Sequence, residues 1–132
     1  MSRKIFVNLP VRQLATSVEF FTPLGFRFDP QFTNDKGTCM VVADDIFVML
    51  LVEPYFQTFT DRRIADTRAE TEVLLCLSCQ DDQEVDDLVA RAVAAGGRAH
   101  RSPQDQGFMY GHGFEDPDGH VWELVHMRAL PA

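Results

Sequence analysis

The sequence predicts an α+β protein in which two tandem βαβββ modules form a curved, cup-like mixed sheet with helices on the outside. The order of one strand, one helix and three strands occurs twice along the 132 residues. Leu9 and Val11 of the first strand recur at the same spacing as Leu77 and Cys79, as expected for a duplicated unit. A hydrophobic content of 45% suffices for one buried core, and the length is too short for two ordinary domains. We therefore expect a single domain, residues 1–132.

The first module is expected to cover about residues 1–53. It begins with a short apolar strand at residues 5–11. A helix follows at about residues 13–21, where apolar residues recur at helical spacing, and Pro23 and Gly25 end it. The remaining strands of this module are predicted at residues 26–28, 39–42 and 46–52.

A crossover connection at about residues 54–71 leads to the second module, residues 72–128. Residues 73–79 form an apolar strand. Asp81 is the predicted N-cap of a helix, because Glu84 follows it at capping-box spacing. This helix ends at Gly96 and Gly97. A short strand at residues 98–100 and a hairpin with strands near residues 108–115 and 120–127 complete the module.

The hairpin turn is Asp116-Pro117-Asp118-Gly119. Pro117 presets φ for the first central position of the turn, and Gly119 tolerates a positive φ. On the outgoing strand, alternation places Glu123 on one face between apolar neighbours. A carboxylate in that setting lies either at a solvated edge or in a cavity that needs a charge.

The partner of Glu123 across the hairpin depends on the register of the turn. With a simple four-residue turn His112 lies opposite Glu123, whereas a bulge at Gly119 shifts the register by one residue and separates them. A facing His–carboxylate pair is a candidate acid–base dyad or half of a metal site. The alternative is a hydrogen bond in a pocket wall without chemistry. Strand alternation places Tyr110 on the same face as His112, and Tyr110 is a candidate contact for a ligand.

The other histidines are predicted to be peripheral. His120 follows the turn, where it is expected to pair with Glu115 or with solvent, and His100 and His126 are expected at similar positions. Cys76 and Cys79 have CxxC spacing, but an odd separation along a strand directs their thiols to opposite faces.

Composition restricts the partners and the compartment. The formal net charge of −8 argues against nucleic acid and against anionic membrane surfaces as partners. No apolar run approaches the roughly 20 residues that a membrane span needs. The N-terminus has no signal-peptide pattern, and three cysteines outside any disulfide-dense pattern fit a reducing compartment. The expected localisation is cytoplasmic.

Taken together, the two modules, the first strand ending in Leu9-Pro10-Val11, and the segment from Asp116 to Glu123 resemble the vicinal oxygen chelate superfamily. This group contains glyoxalase I, bleomycin-resistance proteins and extradiol dioxygenases. The resemblance implies a paired-module cup, a homodimer and, in the metalloenzymes, a divalent metal held by side chains from the first and last strands of each module. Glu123 matches the glutamate ligand of the closing strand.

The three other ligand positions that the resemblance implies are occupied by Phe6, Met49 and Leu74. An aromatic ring, a thioether and an aliphatic group cannot replace imidazole or carboxylate for a hard or borderline divalent ion. Asn8, two residues after Phe6 on the same face, offers only an amide oxygen. No cofactor is therefore expected with the glyoxalase-type arrangement.

Three functions remain open. The first is binding of a small molecule in the cup, by sequestration or with metal-free acid–base chemistry at Glu123 and His112. The second is a metal-dependent lyase, isomerase or dioxygenase with Glu123 as a metal ligand. The third is a structural or interaction module with a vestigial cup. The residues expected to line the cup are Phe6, Asn8, Met49, Leu74, Tyr110, His112 and Glu123.

Overall fold

The computed structural model describes residues 3–129 and contains the predicted βαβββ order twice. The chain divides into two compact units, Met1–Ala65 and Asp66–Ala132. Each unit contains one four-stranded mixed sheet, so the predicted α+β class and the repeated module are confirmed. None of the helices among residues 3–129 combines the length and the apolar character of a membrane span.

In the first unit the strand order is β1-β4-β3-β2, with β1 and β4 parallel and the other pairs antiparallel. Helix α1 packs against β4 and supplies two buried aromatic side chains, Phe20 and Phe21. Short 3-10 turns precede and follow β2. The elements are β1 (Ile5–Val11), α1 (Leu14–Phe21), β2 (Arg27–Asp29), β3 (Gly37–Ala43), β4 (Ile46–Val52) and the short α2 (Glu53–Phe56).

The second unit repeats this plan with the strand order β5-β8-β7-β6. Strands β5 and β8 are parallel, and the other two pairs are antiparallel. The predicted strand at residues 98–100 continues to Asp105, because it pairs with the next strand again at Gln104. The elements are β5 (Leu74–Ser78), α3 (Asp82–Ala94), β6 (Arg98–Asp105), β7 (Met109–Glu115) and β8 (Val121–Met127).

Helix α3 covers one face of the second sheet and buries an apolar core there. The core side chains of the sheet are Phe114, Trp122 and Leu124, all of them 1% exposed or less. Alternation along β8 places Glu123 and Val125 on the opposite face. We call this surface, which points away from α3, the far face of unit 2.

The start of α3 has the predicted cap. The Asp81 carboxylate accepts a hydrogen bond from the Glu84 backbone N–H at 2.8 Å. The Glu84 carboxylate in turn accepts one from the Gln80 N–H at 2.7 Å, one residue earlier than in the standard capping box. The first bond satisfies a backbone donor that the first turn of a helix leaves without a partner, and the second ties the preceding residue to that turn.

The β7–β8 hairpin has the shifted register rather than the simple one. The Asp116 N–H donates to the His120 carbonyl at 3.0 Å, and the Gly119 N–H donates to the Asp116 carbonyl at 2.9 Å, with Gly119 at φ 89°. The additional loop residue pairs Gly113 with Glu123 and His112 with Leu124. Of the two registers that the sequence left open, the hairpin has the one that separates His112 from Glu123.

Candidate functional site

A cavity of about 310 Å³ lies on the far face of unit 2, above the middle of β7. Its volume is at the lower end of the range for small-molecule sites. We call it the far-face cavity. It is lined by His100, Arg101, Ser102, Gln104, Gln106, Met109, Gly111, His112, Gly113, Glu123, Leu124 and Val125.

Two glycines of β7, Gly111 and Gly113, form the floor of the far-face cavity. A Cβ atom at Gly113 would lie 2.8 Å from the Trp122 carbonyl oxygen, so the close approach of β8 requires glycine there. Because neither residue carries a side chain, the space between the neighbouring strands β6 and β8 remains open above the sheet.

Glu123 stands on one side of this floor, directly paired with Gly113. It is half-buried, and its carboxylate makes no hydrogen bond or ion pair with any of residues 3–129. The neighbours that share its face on the same strand, Val121 and Val125, are apolar. The carboxylate can therefore accept hydrogen bonds from a molecule in the cavity.

His100 stands on the other side of the floor, paired with Gly113 from β6. Its Nδ1 lies 3.4 Å from Oε2 of Glu115, whose Oε1 accepts a hydrogen bond from Arg98 at 3.3 Å. Strand spacing places the Cα atoms of His100 and Glu123 roughly 10 Å apart. The histidine that faces the glutamate is thus His100, and the prediction that His100 is peripheral is wrong.

His112 has its side chain on the α3 side of the sheet. Its Nε2 lies 3.0 Å from the Arg101 carbonyl oxygen and donates a hydrogen bond to it. Arg101 has φ 63°, and between His100 and Gln104 the strand β6 leaves the regular pairing with β7. His112 is therefore not part of a dyad with Glu123; it holds the irregular segment of β6 that forms one wall of the cavity.

Tyr110 also lies on the α3 side, because it pairs with His126. Its hydroxyl donates to Oδ1 of Asp86 at 2.6 Å, and this bond to the carboxylate raises the pKa of Tyr110 to about 12. The Arg128 guanidinium lies over the Tyr110 ring, 5.6 Å from its centre. The alternation that Tyr110 shares with His112 is confirmed, but both side chains point away from the far face.

The expected lining residues of the first unit share one face of their own sheet. Phe6 pairs with Phe47 and Asn8 pairs with Met49, and the two phenyl rings stack with their centres 5.0 Å apart. In the second unit Leu74 pairs with Val121, so it lies on the far face together with Glu123 and is 53% exposed. Phe6, Asn8 and Met49 thus lie on the face opposite the buried Leu9 and Val11, and Leu74 lies on the far face of unit 2.

The donor chemistry does not fit the divalent metal that the resemblance implies. Phe6, Met49 and Leu74 carry no ligand atom for a hard or borderline ion, and Glu123 alone supplies one carboxylate. Within residues 3–129 no group of three or more His, Cys, Asp and Glu side chains is placed to hold a metal ion.

Two polar residues of the hairpin loop, Asp116 and His120, have structural roles. His120 is 1% exposed, and its Nδ1 lies 2.7 Å from Oε1 of Glu72, so the expected pairing with Glu115 or solvent is wrong. The Asp116 carboxylate accepts hydrogen bonds from the Asp118 and His120 backbone N–H groups and from the Trp122 indole. Burial nevertheless raises the pKa of Asp116.

Cys76 is an unexpected neighbour of Glu123, since the two residues pair across β5 and β8. Burial, and secondly the charge of Glu123, raise the pKa of the Cys76 thiol, so the thiol remains protonated at neutral pH. The charge of Glu123 thus acts across this face. Alternation had indicated that Cys76 and Cys79 lie on opposite faces, but only the β5–β8 register places Cys76 beside the carboxylate.

Several solved structures share the architecture of this chain. A hypothetical protein from S. aureus superposes with a TM-score of 0.80 at 29% identity, covering 96% of this chain and 95% of that one. The fosfomycin resistance protein FosX from Listeria monocytogenes gives 0.69 at 20% identity, covering 96% and 93%. The bleomycin resistance determinant encoded on the transposon Tn5 gives 0.68 at 18%, covering 97% and 100%. A search of curated proteins finds no significant match.

The amino-acid sequence also matches a family. Residues 5–124 match the family model of the Glyoxalase/Bleomycin resistance protein/Dioxygenase superfamily, which is most of the chain. The chain belongs to this superfamily, and the resemblance drawn from its two modules and its closing hairpin is confirmed. Because the superfamily contains several chemistries, membership establishes the fold and the ancestry rather than a reaction.

Proposed function

We propose that this protein binds a small organic molecule directly, without a metal ion, in the far-face cavity, with Glu123 as the principal polar anchor. The observation that carries the proposal is that the Glu123 carboxylate points over a floor of two glycines and has no hydrogen-bond partner among residues 3–129. A half-buried carboxylate gains most from a ligand that brings its own donor. Two of the similar structures are resistance proteins for fosfomycin and bleomycin, which accords with a small-molecule role.

Metal-free acid–base chemistry is the second candidate, and the placement of His100 favours it. The Glu115 carboxylate orients the His100 imidazole on one side of the cavity, and Glu123 lies on the other side. A carboxylate and a carboxylate-oriented imidazole are side chains that can serve as a general base and a general acid. A ligand held between them is positioned to give a proton to one and receive a proton from the other.

A ligand screen on chelator-treated protein tests the proposed binding. Thermal stability would be measured against a broad panel of small molecules for the parent, for Glu123→Gln, and for the exposed control Glu70→Gln, which removes the same charge elsewhere. We expect compounds that stabilise the parent and Glu70→Gln but not Glu123→Gln, because a ligand that binds only the folded state raises its stability. A Glu123→Gln variant indistinguishable from the parent across the panel would overturn the proposal.

We also propose that the chain forms a homodimer and works in the cytoplasm. Ile5 and Phe6 on the edge strand β1, and Leu74 on the edge strand β5, are each more than half exposed. Apolar side chains on edge strands favour association with another chain. Cys39, Cys76 and Cys79 are all free, which suits a reducing compartment. Light scattering on the parent and on Phe6→Ser tests the association; a monomeric parent would contradict it.

A further inference from the structure

The far face of unit 2 carries two carboxylates, and only one of them is neutralised by the protein. Glu115 accepts a hydrogen bond from Arg98 at 3.3 Å and lies 3.4 Å from the His100 imidazole. Glu123, on the same face two strands from His100, has neither a cation nor a hydrogen-bond donor within residues 3–129. On the Glu123 side of the cavity, the negative charge is therefore not balanced by a cation from residues 3–129.

The residues around Glu123 cannot supply that charge. Its neighbours across the two adjacent strands are Gly113, which has no side chain, and Cys76, whose thiol is neutral and a weak donor. Val121 and Val125, on the same strand and face, are apolar. A ligand group that reaches Glu123 leaves water for a surface of low polarity, where an opposite charge has its strongest effect.

The shape and the other walls restrict the rest of the ligand. The glycine floor is open over the width of one strand, and Met109 and Val125 add apolar surface beside it. The wall formed by β6 and the following residues supplies neutral hydrogen-bonding groups, namely Ser102, Gln104 and Gln106. Arg101, the cation among the lining residues, belongs to this wall rather than to the Glu123 side.

We infer that the molecule bound in the far-face cavity is a small, flat organic cation, such as an amidinium or a protonated heteroaromatic amine, whose N–H groups donate to Glu123. This inference rests on the proposed binding function and narrows it to a chemical class. The flat ring covers Gly111 and Gly113, and the amide side chains of the opposite wall bond its polar edge. The net charge of −8 assists by attracting cations to the protein at low ionic strength.

The test uses two probes that share ring and size but differ in charge, benzamidinium and benzamide. Binding to the parent, Glu123→Gln and Glu70→Gln is followed by NMR shifts of the backbone amides of Gly111, Gly113 and Glu123. We expect benzamidinium to bind the parent and Glu70→Gln on the order of tenfold more tightly than benzamide, since hydrogen bonds to charged groups are the stronger ones. In Glu123→Gln the difference between the probes disappears.

The possible failures are distinguishable. If benzamide binds in the cavity as tightly as benzamidinium, and Glu123→Gln leaves both affinities unchanged, the cation class is overturned while binding in the cavity stands. If neither probe, nor any compound of the broader screen, shifts the amides of Gly111, Gly113 and Glu123, the cation inference fails together with the proposed function.

Discussion

The indole N–H of Trp122 donates to Oδ2 of Asp116 at 3.0 Å, and this bond links the hairpin loop to the largest fully buried side chain of the second unit. The other carboxylate oxygen of Asp116 accepts the Asp118 and His120 backbone N–H groups at 2.9 and 3.1 Å. One side chain thus satisfies three donors that the fold takes out of water. The segment from Asp116 to Glu123, which carries part of the family resemblance, therefore also stabilises the fold.

Replacing Asp116 by Ala should destabilise the protein strongly. Three donors would lose their acceptor in a buried environment, and each such loss costs about 1–3 kcal/mol before relaxation, so we expect a total of at least about 3 kcal/mol. Urea unfolding of the variant measures this loss. Asp35→Ala, at an exposed turn position, serves as the control and should remain close to the parent. Equal midpoints for the two variants would contradict the role assigned to Asp116.

Replacing Gly113 by Ala should destabilise the second sheet by about 1–3 kcal/mol, the usual cost of overpacking. The added Cβ would lie 2.8 Å from the Trp122 carbonyl oxygen, an atom that cannot move without disturbing β8. Gly111→Ala is the matched control, because its closest contact would be 3.3 Å. Thermal or urea unfolding of both variants measures the difference, and a Gly111→Ala variant less stable than Gly113→Ala would contradict the prediction.

The alkaline titration of Tyr110 should depend on Asp86. The hydrogen bond to this carboxylate raises the pKa of Tyr110 from 10.0 to about 12. Because the pKa is higher in the folded protein than in the unfolded chain, the associated stability is complete below about pH 10 and is lost as the pH rises through 12. In Asp86→Asn we expect the tyrosinate absorbance of Tyr110 to appear at lower pH.

Assignment of that signal needs one further variant, since Tyr55 is the only other tyrosine of the chain. Tyr110→Phe removes the high-pH component and leaves the titration of Tyr55. An Asp86→Asn protein with the same titration curve as the parent would show that the hydrogen bond does not control Tyr110.

Removing the hydrogen bond from His112 should loosen β6 rather than abolish folding. In His112→Ala the Arg101 carbonyl loses its donor at 3.0 Å, and a bond of this kind contributes about 1 kcal/mol. Amide hydrogen exchange at Arg101, Ser102 and Gln104 is expected to become several-fold faster. His126→Ala, which removes a contact to Asp82 on α3 instead, should leave this exchange unchanged. Identical exchange in both variants and the parent would refute the supporting role of His112.

Chelation of divalent ions should leave the thermal stability unchanged. The donors at the family's ligand positions do not fit such an ion, so we expect neither a shift on treatment with a chelator nor a gain on adding Mn²⁺, Ni²⁺ or Zn²⁺. Elemental analysis of protein purified without a histidine tag gives an independent reading. A stoichiometric ion that is lost in Glu123→Gln would restore the metal-dependent alternative.

The local elements could be predicted because short segments of sequence determine them. The Asp81 and Glu84 pair lies within one turn of α3, and the capping pattern identified the start of this helix. The face that carries Glu123 follows from alternation along a single strand. Asn8 follows Phe6 on the same face by strand alternation, whereas Met49 was placed by the family resemblance; the β1–β4 register brings all three to one face.

The partners of these residues could not be predicted, because they depend on contacts distant in sequence or on a choice between similar turns. Gly119 permits either hairpin register, and the bond between Asp116 and the His120 carbonyl selects the shifted one. His120 is buried because Glu72, 48 residues earlier, pairs with it. His100 faces Glu123 only through the pairing of β6 with β7, which no local pattern in the sequence indicates.

One wall of the far-face cavity is formed by the edge strand β6. The residues of β6 are exposed except for the half-buried His100, whereas the core of the unit lies under α3 on the other side of the sheet. Substitutions along this wall therefore change the chemistry presented to a ligand with little effect on the free energy of folding. A ligand preference set by β6 can therefore be altered by exchanging exposed side chains, while the core under α3 is left intact.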